Sequence, residues 1–316
     1  MPSRVLSASE KGSRISVCGR RWRGMSPSAR PLGHRRDFRM RRWVCCSLIG
    51  LALLGHAAQA QPTHPGVPVL IYHQIVTDGT PPGETVIPLS RFAEQMRYLH
   101  EQGYRTLSLG EFAAYLRGRT TVPARSVVLT LDDGWQSGLN AVPVLEAYGM
   151  RASFWIIVDR GIGGPYLEWS DIDALDRHPL FEVESHTLSH PWDRQDNLVT
   201  WVDGRVPGRT WHDALAELTG SRRRLETRLG RSVRFLAWPC GWYNDRLIRL
   251  ARWAGYTTLL TAEPGFNSPG DDLRRIKRLF VDGACGMDEF VRTLTEGRYV
   301  VCQTAGRPSI GHLPYD

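Results

Sequence analysis

Two adjacent carboxylates, Asp132 and Asp133, follow the apolar run Val127-Val-Leu-Thr-Leu131 and precede Gly134. At the end of a buried strand such a pair can divide into a metal ligand and a general base. Asp-Gly is equally a turn signal, and Asp133 would also cap a helix starting near Ser137. A second cluster is Ser185-His186-Thr-Leu-Ser-His190, again after a strand-like run. Histidines four apart bring both imidazoles to one ion if the segment makes a helical turn, and neutral imidazole is a common zinc ligand. Otherwise they are two polar loop residues. The third cluster is Ala237-Trp-Pro-Cys240-Gly241-Trp242. A Pro-x-Gly turn holds backbone N–H groups rigid, as an oxyanion hole requires, and serves as readily for a tight connection.

All three clusters end strand-like runs, so the elements before them must carry them to one place. Val69–His73, Thr106–Leu109, Val127–Leu131, Ala152–Val158, Phe181–Ser185, Phe235–Trp238, Tyr256–Leu260 and Ile276–Val281 read as strands. Helices are expected between them: one capped by Ser90 with Phe92, Met96 and Leu99 inward, then Glu111–Leu116, about Ser137–Tyr148 and Ser170–Asp176. Trp211–Leu229, Asp245–Ala254 and Met287–Leu294 complete the series, Trp211–Leu229 with Leu215, Leu218, Leu225 and Leu229 on its inner face. Strand and helix alternate without a break in composition, which predicts an α/β fold with a mainly parallel sheet. About seven such units suit a distorted (β/α) barrel forming a single catalytic domain, and in a barrel all strand ends share one rim.

The chain has 316 residues and a net charge of +8, which would suit an anionic partner if it lay on the folded part. It does not. Residues 1–60 hold 12 Lys and Arg against 2 Asp and Glu, leaving 28 against 30 for the remainder. A nucleic-acid partner is therefore excluded for the domain. Within the basic leader, Met40-Arg-Arg-Trp43, the apolar run Val44–Leu54 and Ala58-Gln-Ala60 have the three parts of a secretory signal peptide. Residues 40–60 are expected to be that signal, residues 1–39 an over-called start or a disordered extension, and residues 61–316 the domain. Periplasm or cell exterior is then the destination. Cys18, Cys45 and Cys46 fall in the leader; of Cys240, Cys285 and Cys302, the last two can pair in an oxidising compartment. Gly-x-Ser-x-Gly and His-Glu-x-x-His do not occur, which argues against a serine hydrolase of that type and a zincin.

Taken in order, Thr130-Leu-Asp-Asp-Gly134, His186-Thr-Leu-Ser-His190 and Trp238-Pro-Cys-Gly241 resemble the first three motifs of the polysaccharide deacetylases, carbohydrate esterase family 4 with NodB homology. Val67–His73 and the region from Phe92 to Leu116 resemble the branch that deacetylates poly-β-1,6-N-acetylglucosamine, a biofilm exopolysaccharide. The resemblance spans residues 67–295. It implies an N-acetylated polysaccharide as substrate, and a divalent metal, usually zinc, on Asp133, His186 and His190. It further implies Asp132 as general base and the backbone N–H of Cys240 as oxyanion donor. Association with exopolysaccharide export machinery would follow; no oligomeric state does. Peptidoglycan, chitin and acetylated xylan are alternative polymers, and a non-catalytic carbohydrate-binding relative is an alternative role. That last reading draws on Ala237, which stands where many members carry an Arg that orients the base; Arg275, Lys277 and Arg278 are candidates to replace it. The family's late histidine as general acid corresponds here to His312. His73 ends the first strand and is expected to line the rim on the substrate side. Trp135, Trp192, Trp238 and Trp242 flank the motifs, and Trp192 and Trp242, beyond the strands, are the expected sugar-stacking residues.

Overall fold

The computed structural model describes residues 66–159 and 165–302. Residues 1–65, with the signal peptide expected over residues 40–60, and His312 lie outside the described residues. In chain order the elements begin with strands β1 (Val69–Tyr72), β2 (Gln74–Val76) and β3 (Val86–Pro88), then helix α1 (Leu89–Glu101). Strand β4 (Arg105–Thr106), helix α2 (Leu109–Leu116), strand β5 (Ser126–Leu131) and helix α3 (Val142–Ala147) follow. Next come β6 (Ala152–Ile156), α4 (Trp169–Arg177), β7 (Phe181–Ser185), α5 (Leu198–Val202) and α6 (Trp211–Leu229). The chain continues through β8 (Phe235–Ala237), α7 (Asp245–Ala254), β9 (Thr258–Leu260), β10 (Leu279–Phe280) and α8 (Met287–Glu296).

Seven strands form one curled parallel sheet in the order β10-β1-β5-β6-β7-β8-β9, with β4 added beside β5. Ile276, just before β10, bridges to Leu260 of β9, so the two edges meet at that point. The expected distorted barrel is therefore present. Side chains alternate between its faces, as the two-residue period of a strand demands. Leu70, Leu129, Phe154, Val183 and Leu236 pack outward against the helices. Val69, Val128, Trp155, Ala237, Leu260 and Ile276 form a second cluster on the other face.

Register places the chemistry. Tyr72 pairs with Leu131, Leu131 with Phe154, Ile156 with Ser185, Ser185 with Leu236, and Ala237 with Leu260. The residues directly after these ends, His73, Asp132, His186 and Trp238, consequently emerge on the same rim.

Several boundaries differ from the sequence reading. The helix around Phe92 starts at Leu89 with Pro88 at its cap, not Ser90. The strand expected over Thr106–Leu109 stops at Thr106, because Ser108 and Glu111 form a reciprocal capping box that starts α2. The helix expected over Ser137–Tyr148 is a 3₁₀ turn, Gln136–Ala141, followed by α3. Pro143, in the first turn of α3, has no N–H to continue a ladder from the preceding turn. The strand expected over Ile276–Val281 shortens to β10. By contrast, α6 and α7 keep their expected limits, capped by Thr210 and Asn244 and ended by left-handed Gly230 and Gly255. Cys285 and Cys302 are disulfide-bonded, with 5.2 Å between their Cα atoms, and Cys240 is free.

Candidate active site

A cleft of about 360 Å³ opens on the rim, lined among others by His73, Asp132, Asp133, His186, His190 and Cys240. Asp133, His186 and His190 each offer one donor atom, and the three atoms lie within 4.8 Å of one another. Asp133 Oδ1 stands 3.3 Å from His186 Nε2 and 3.7 Å from His190 Nε2. The local backbone is bent to achieve this: φ is 73° at Asp133, 68° at Thr187 and 54° at His190, in the left-handed region that non-glycine residues enter at a cost.

Asp133 and His186 each have a partner that fixes the side chain's orientation. His186 Nδ1 lies 2.9 Å from the carbonyl of Ala237, and this contact orients the ring so that Nε2 faces Asp133. The indole N–H of Trp135 donates to Asp133 Oδ2 at 2.9 Å, leaving Oδ1 for the two imidazoles. The Trp135 ring also stacks on Tyr166 with 4.5 Å between centroids. Burial would raise the Asp133 carboxyl, but the hydrogen bond with His186 and the surrounding imidazoles outweigh it and hold the pKa far below the carboxylate range. Burial pushes His190 down to about 3, with His186 adding to the effect, so that ring is neutral with a free lone pair. At His186 burial opposes the charge, yet Asp132 and Asp133 raise its pKa overall. Two imidazole nitrogens and one carboxylate oxygen, mutually close and of mixed charge, are a fitting donor set for a divalent cation.

Asp132 is 3% exposed and occupies a separate position, 3.8 Å from His186 Nε2. Arg278 holds it: Nη1 lies 2.9 Å from Oδ1 and 2.8 Å from Oδ2. Arg278 is itself fully enclosed, and its Nε donates to the carbonyl of Thr261 at 2.7 Å. This settles the choice among the three basic candidates. Arg275 turns away to Tyr243 and Asp245, and Lys277 to Asp271. The period of two was the usable signal, since Arg278 lies two residues after Ile276, which belongs to the inner cluster.

The Pro239–Gly241 turn places Cys240 on the cleft with φ 52°. The flanking N–H groups are committed, Gly241 to the Trp238 carbonyl and Trp242 to that of Pro239. Gly241 must be glycine, because an added Cβ would come within 2.4 Å of Ala262 Cβ. Burial pushes the Cys240 thiol up to about 12.

Of the aromatic residues, Trp192, more than half exposed, lines the cleft together with Trp135, Tyr166 and Trp238. Trp242 is not among the cleft-lining residues; the turn at Gly241 carries the chain past the rim. His73 lines the cleft beside Phe280, at 5.5 Å between centroids. Burial lowers its pKa, against the opposing charges of Asp133 and Asp132.

Glu217 of α6 was not anticipated. Its carboxylate accepts the N–H groups of Leu188 and Ser189 and the hydroxyl of Ser189, between the two histidines. It stands in the inward stripe of Ala214, Leu218, Ser221 and Leu225, where a charged residue was the signal to follow.

Residues 119–259 match the family model described as polysaccharide deacetylase. YxkH of Bacillus subtilis (strain 168) is 26% identical over 217 residues, 68% of this chain and 71% of that protein. Poly-beta-1,6-N-acetyl-D-glucosamine N-deacetylase of Escherichia coli (strain K12) is 23% identical over 284 residues, 80% of this chain. That match spans only 41% of the longer Escherichia coli protein. Among solved structures, IcaB from Ammonifex degensii superposes with a TM-score of 0.60 at 27% identity, covering 68% of this chain and 91% of that one.

Proposed function

We propose, from the match of residues 119–259 to the polysaccharide deacetylase family, that this chain is an exported, metal-dependent hydrolase that removes N-acetyl groups from N-acetylglucosamine units, with poly-β-1,6-N-acetylglucosamine as the polymer. The observation that carries the reading is the separation of two carboxylates on one turn. Asp133 faces two imidazoles, while Asp132 is tied to Arg278. Asp133, His186 and His190 would hold the ion, zinc in this reading, which when bound supplies Lewis acidity toward an amide carbonyl and water.

The remaining roles belong to the protein. Asp132 takes the proton of the attacking water at its carboxylate, which Arg278 keeps oriented. The backbone N–H of Cys240 donates to the developing oxyanion, a role that does not use its thiol, which burial pushes up to about 12. The leaving amine takes its proton from a general acid, His312 by resemblance to the family, while His73, among the described residues the imidazole on the cleft outside the ligand cluster, lines it on the substrate side. Trp192, exposed at the mouth, offers a face to a neighbouring sugar ring.

Arg278 removes the ground for a non-catalytic reading, because it gives Asp132 the contact that Ala237 cannot. Support for the polymer is the activity in the name of the Escherichia coli relative; support for export is the leader sequence, residues 40–60. Acetate release should be measured on poly-β-1,6-N-acetylglucosamine, chitin, peptidoglycan and acetylated xylan, with chelator and zinc add-back. Release from the first polymer, abolished by chelator and restored by zinc, is the expected result. Turnover indifferent to chelator would sink the metal assignment, and release confined to another polymer would sink the substrate assignment.

A further inference from the structure

The segment joining the two histidines is the least regular backbone of the site. Thr187 and His190 both have positive φ, 68° and 54°. Such positions are disfavoured for residues other than glycine and persist only where surrounding contacts over-determine them. Those contacts converge on Glu217, from the second turn of α6. Oε2 accepts the N–H of Leu188 at 3.1 Å and that of Ser189 at 2.8 Å, while Oε1 accepts the Ser189 hydroxyl at 2.7 Å. Glu217 is 9% exposed, and among the described residues it has no ion pair within 4.0 Å. Its buried charge is therefore balanced by these three donors, an arrangement tolerated only when the donors are held in place.

The helix surface is shaped for the same loop. Gly220, one turn beyond Glu217, would bring an added Cβ within 3.1 Å of Leu188 Cδ2, so its missing side chain makes room for Leu188. Thr187 completes the arrangement by accepting the His190 N–H on its hydroxyl at 3.2 Å. Helix α6 thus grips Leu188 and Ser189 by side-chain packing and by hydrogen bonds, and His190 follows directly from that grip.

We propose that Glu217 is a positioning residue for the metal ligands: it fixes the Leu188-Ser189 backbone and thereby sets His190 against Asp133 and His186. The inference rests on the proposed metal-dependent reading. A carboxylate accepts from all three partners at once. Glutamine keeps the two N–H bonds only by turning its amide N–H to the Ser189 hydroxyl, which must then accept instead of donate, and aspartate is a methylene too short to reach.

The test is zinc affinity, by competition with a chromogenic chelator, for wild type, Glu217→Gln and Ser189→Ala. It is read together with the melting temperature of the zinc-free proteins and turnover at saturating zinc. Glu217→Gln should bind zinc about 10- to 100-fold more weakly, the range seen when partners that orient ligands are removed. Ser189→Ala, which loses only the hydroxyl bond, should weaken binding by a smaller factor while the zinc-free melting temperature stays near wild type. That variant keeps the proposal open to refutation even if Glu217→Gln does not fold. Wild-type zinc affinity in both variants, with only the melting temperature lowered, would make Glu217 a purely structural residue and overturn the proposal. A wild-type protein that binds no zinc would instead overturn the metal reading on which it rests.

Discussion

Replacing Arg278 by methionine tests the division of labour between the two carboxylates, because methionine keeps much of the volume and removes the charge. Arg278 and Asp132 are 2% and 3% exposed at their side chains, with contacts of 2.8 and 2.9 Å. A surface pair with such distances contributes about 0–1 kcal/mol. This pair is enclosed, and breaking one from a single side leaves an unpaired buried charge, which costs about 3–5 kcal/mol. At roughly 2–4 °C per kcal/mol for a domain of this size, the melting temperature should fall by about 10 °C. Turnover should fall more than stability suggests, since a catalytic group displaced by about 1 Å loses on the order of 10²-fold in rate. Zinc content should stay at the wild-type level, because Arg278 touches none of the three ligand residues. Combining Arg278→Met with Asp132→Asn should restore part of the lost stability, as no bare charge remains. Melting curves, metal analysis and acetate release on the same preparations give all three readouts. Wild-type turnover in Arg278→Met, or strict additivity of the two substitutions in melting temperature, would refute the reasoning.

Trp135→Phe removes the indole N–H from Asp133 Oδ2 and keeps a ring against Tyr166. Zinc affinity should drop about tenfold with little change in melting temperature, and unchanged affinity would show that the hydrogen bond does not orient the carboxylate. His312→Ala should lose about 10²- to 10⁴-fold in turnover, as expected for removal of a general acid, with full metal content; near-normal turnover would return the acid role to another residue. Glu184 gives a pH prediction away from the site. Burial raises its pKa from 4.5 to about 7, although Arg231 and the N–H of Phe235 oppose the rise. A folded-state pKa above the unfolded one means a contribution fully present below pH 4.5 and lost as pH rises through about 7. Glu184→Gln, which cannot ionise, should therefore gain on wild type by about 3 kcal/mol across that window. Stability curves that stay parallel from pH 4 to 8 would contradict it, measured by denaturant unfolding.

Legibility of the sequence followed the range of the signal. Asp133, His186 and His190 lie at strand ends, and a strand end is a local pattern, so their meeting on one rim follows from parallel register alone. Helices α6 and α7 were readable to the residue because polar caps and left-handed glycines bound them at both ends. Arg278 was harder: β10 is two residues long, so alternation singles it out only by reference to Ile276, which lies ahead of the strand. Glu217 escaped notice for another reason. Its partners lie about 28 residues away, where a helix packs against a loop, and no local periodicity reports a contact of that kind. Trp242 was expected on the cleft because it follows a strand, but the tight turn enforced by Gly241 against Ala262 redirects the chain before it. The cleft instead takes Trp135 and Tyr166, brought together by a bridge between two loops.

The central claim is that adjacent carboxylates on one turn do different work, Asp133 binding the ion and Asp132 moving the proton. Bound zinc per chain and acetate turnover, measured together for Asp132→Asn and Asp133→Asn, test it most directly. The account predicts that Asp132→Asn keeps about one zinc and loses nearly all turnover, whereas Asp133→Asn loses both. Equal zinc loss in the two variants, or substantial turnover in Asp132→Asn, would contradict it.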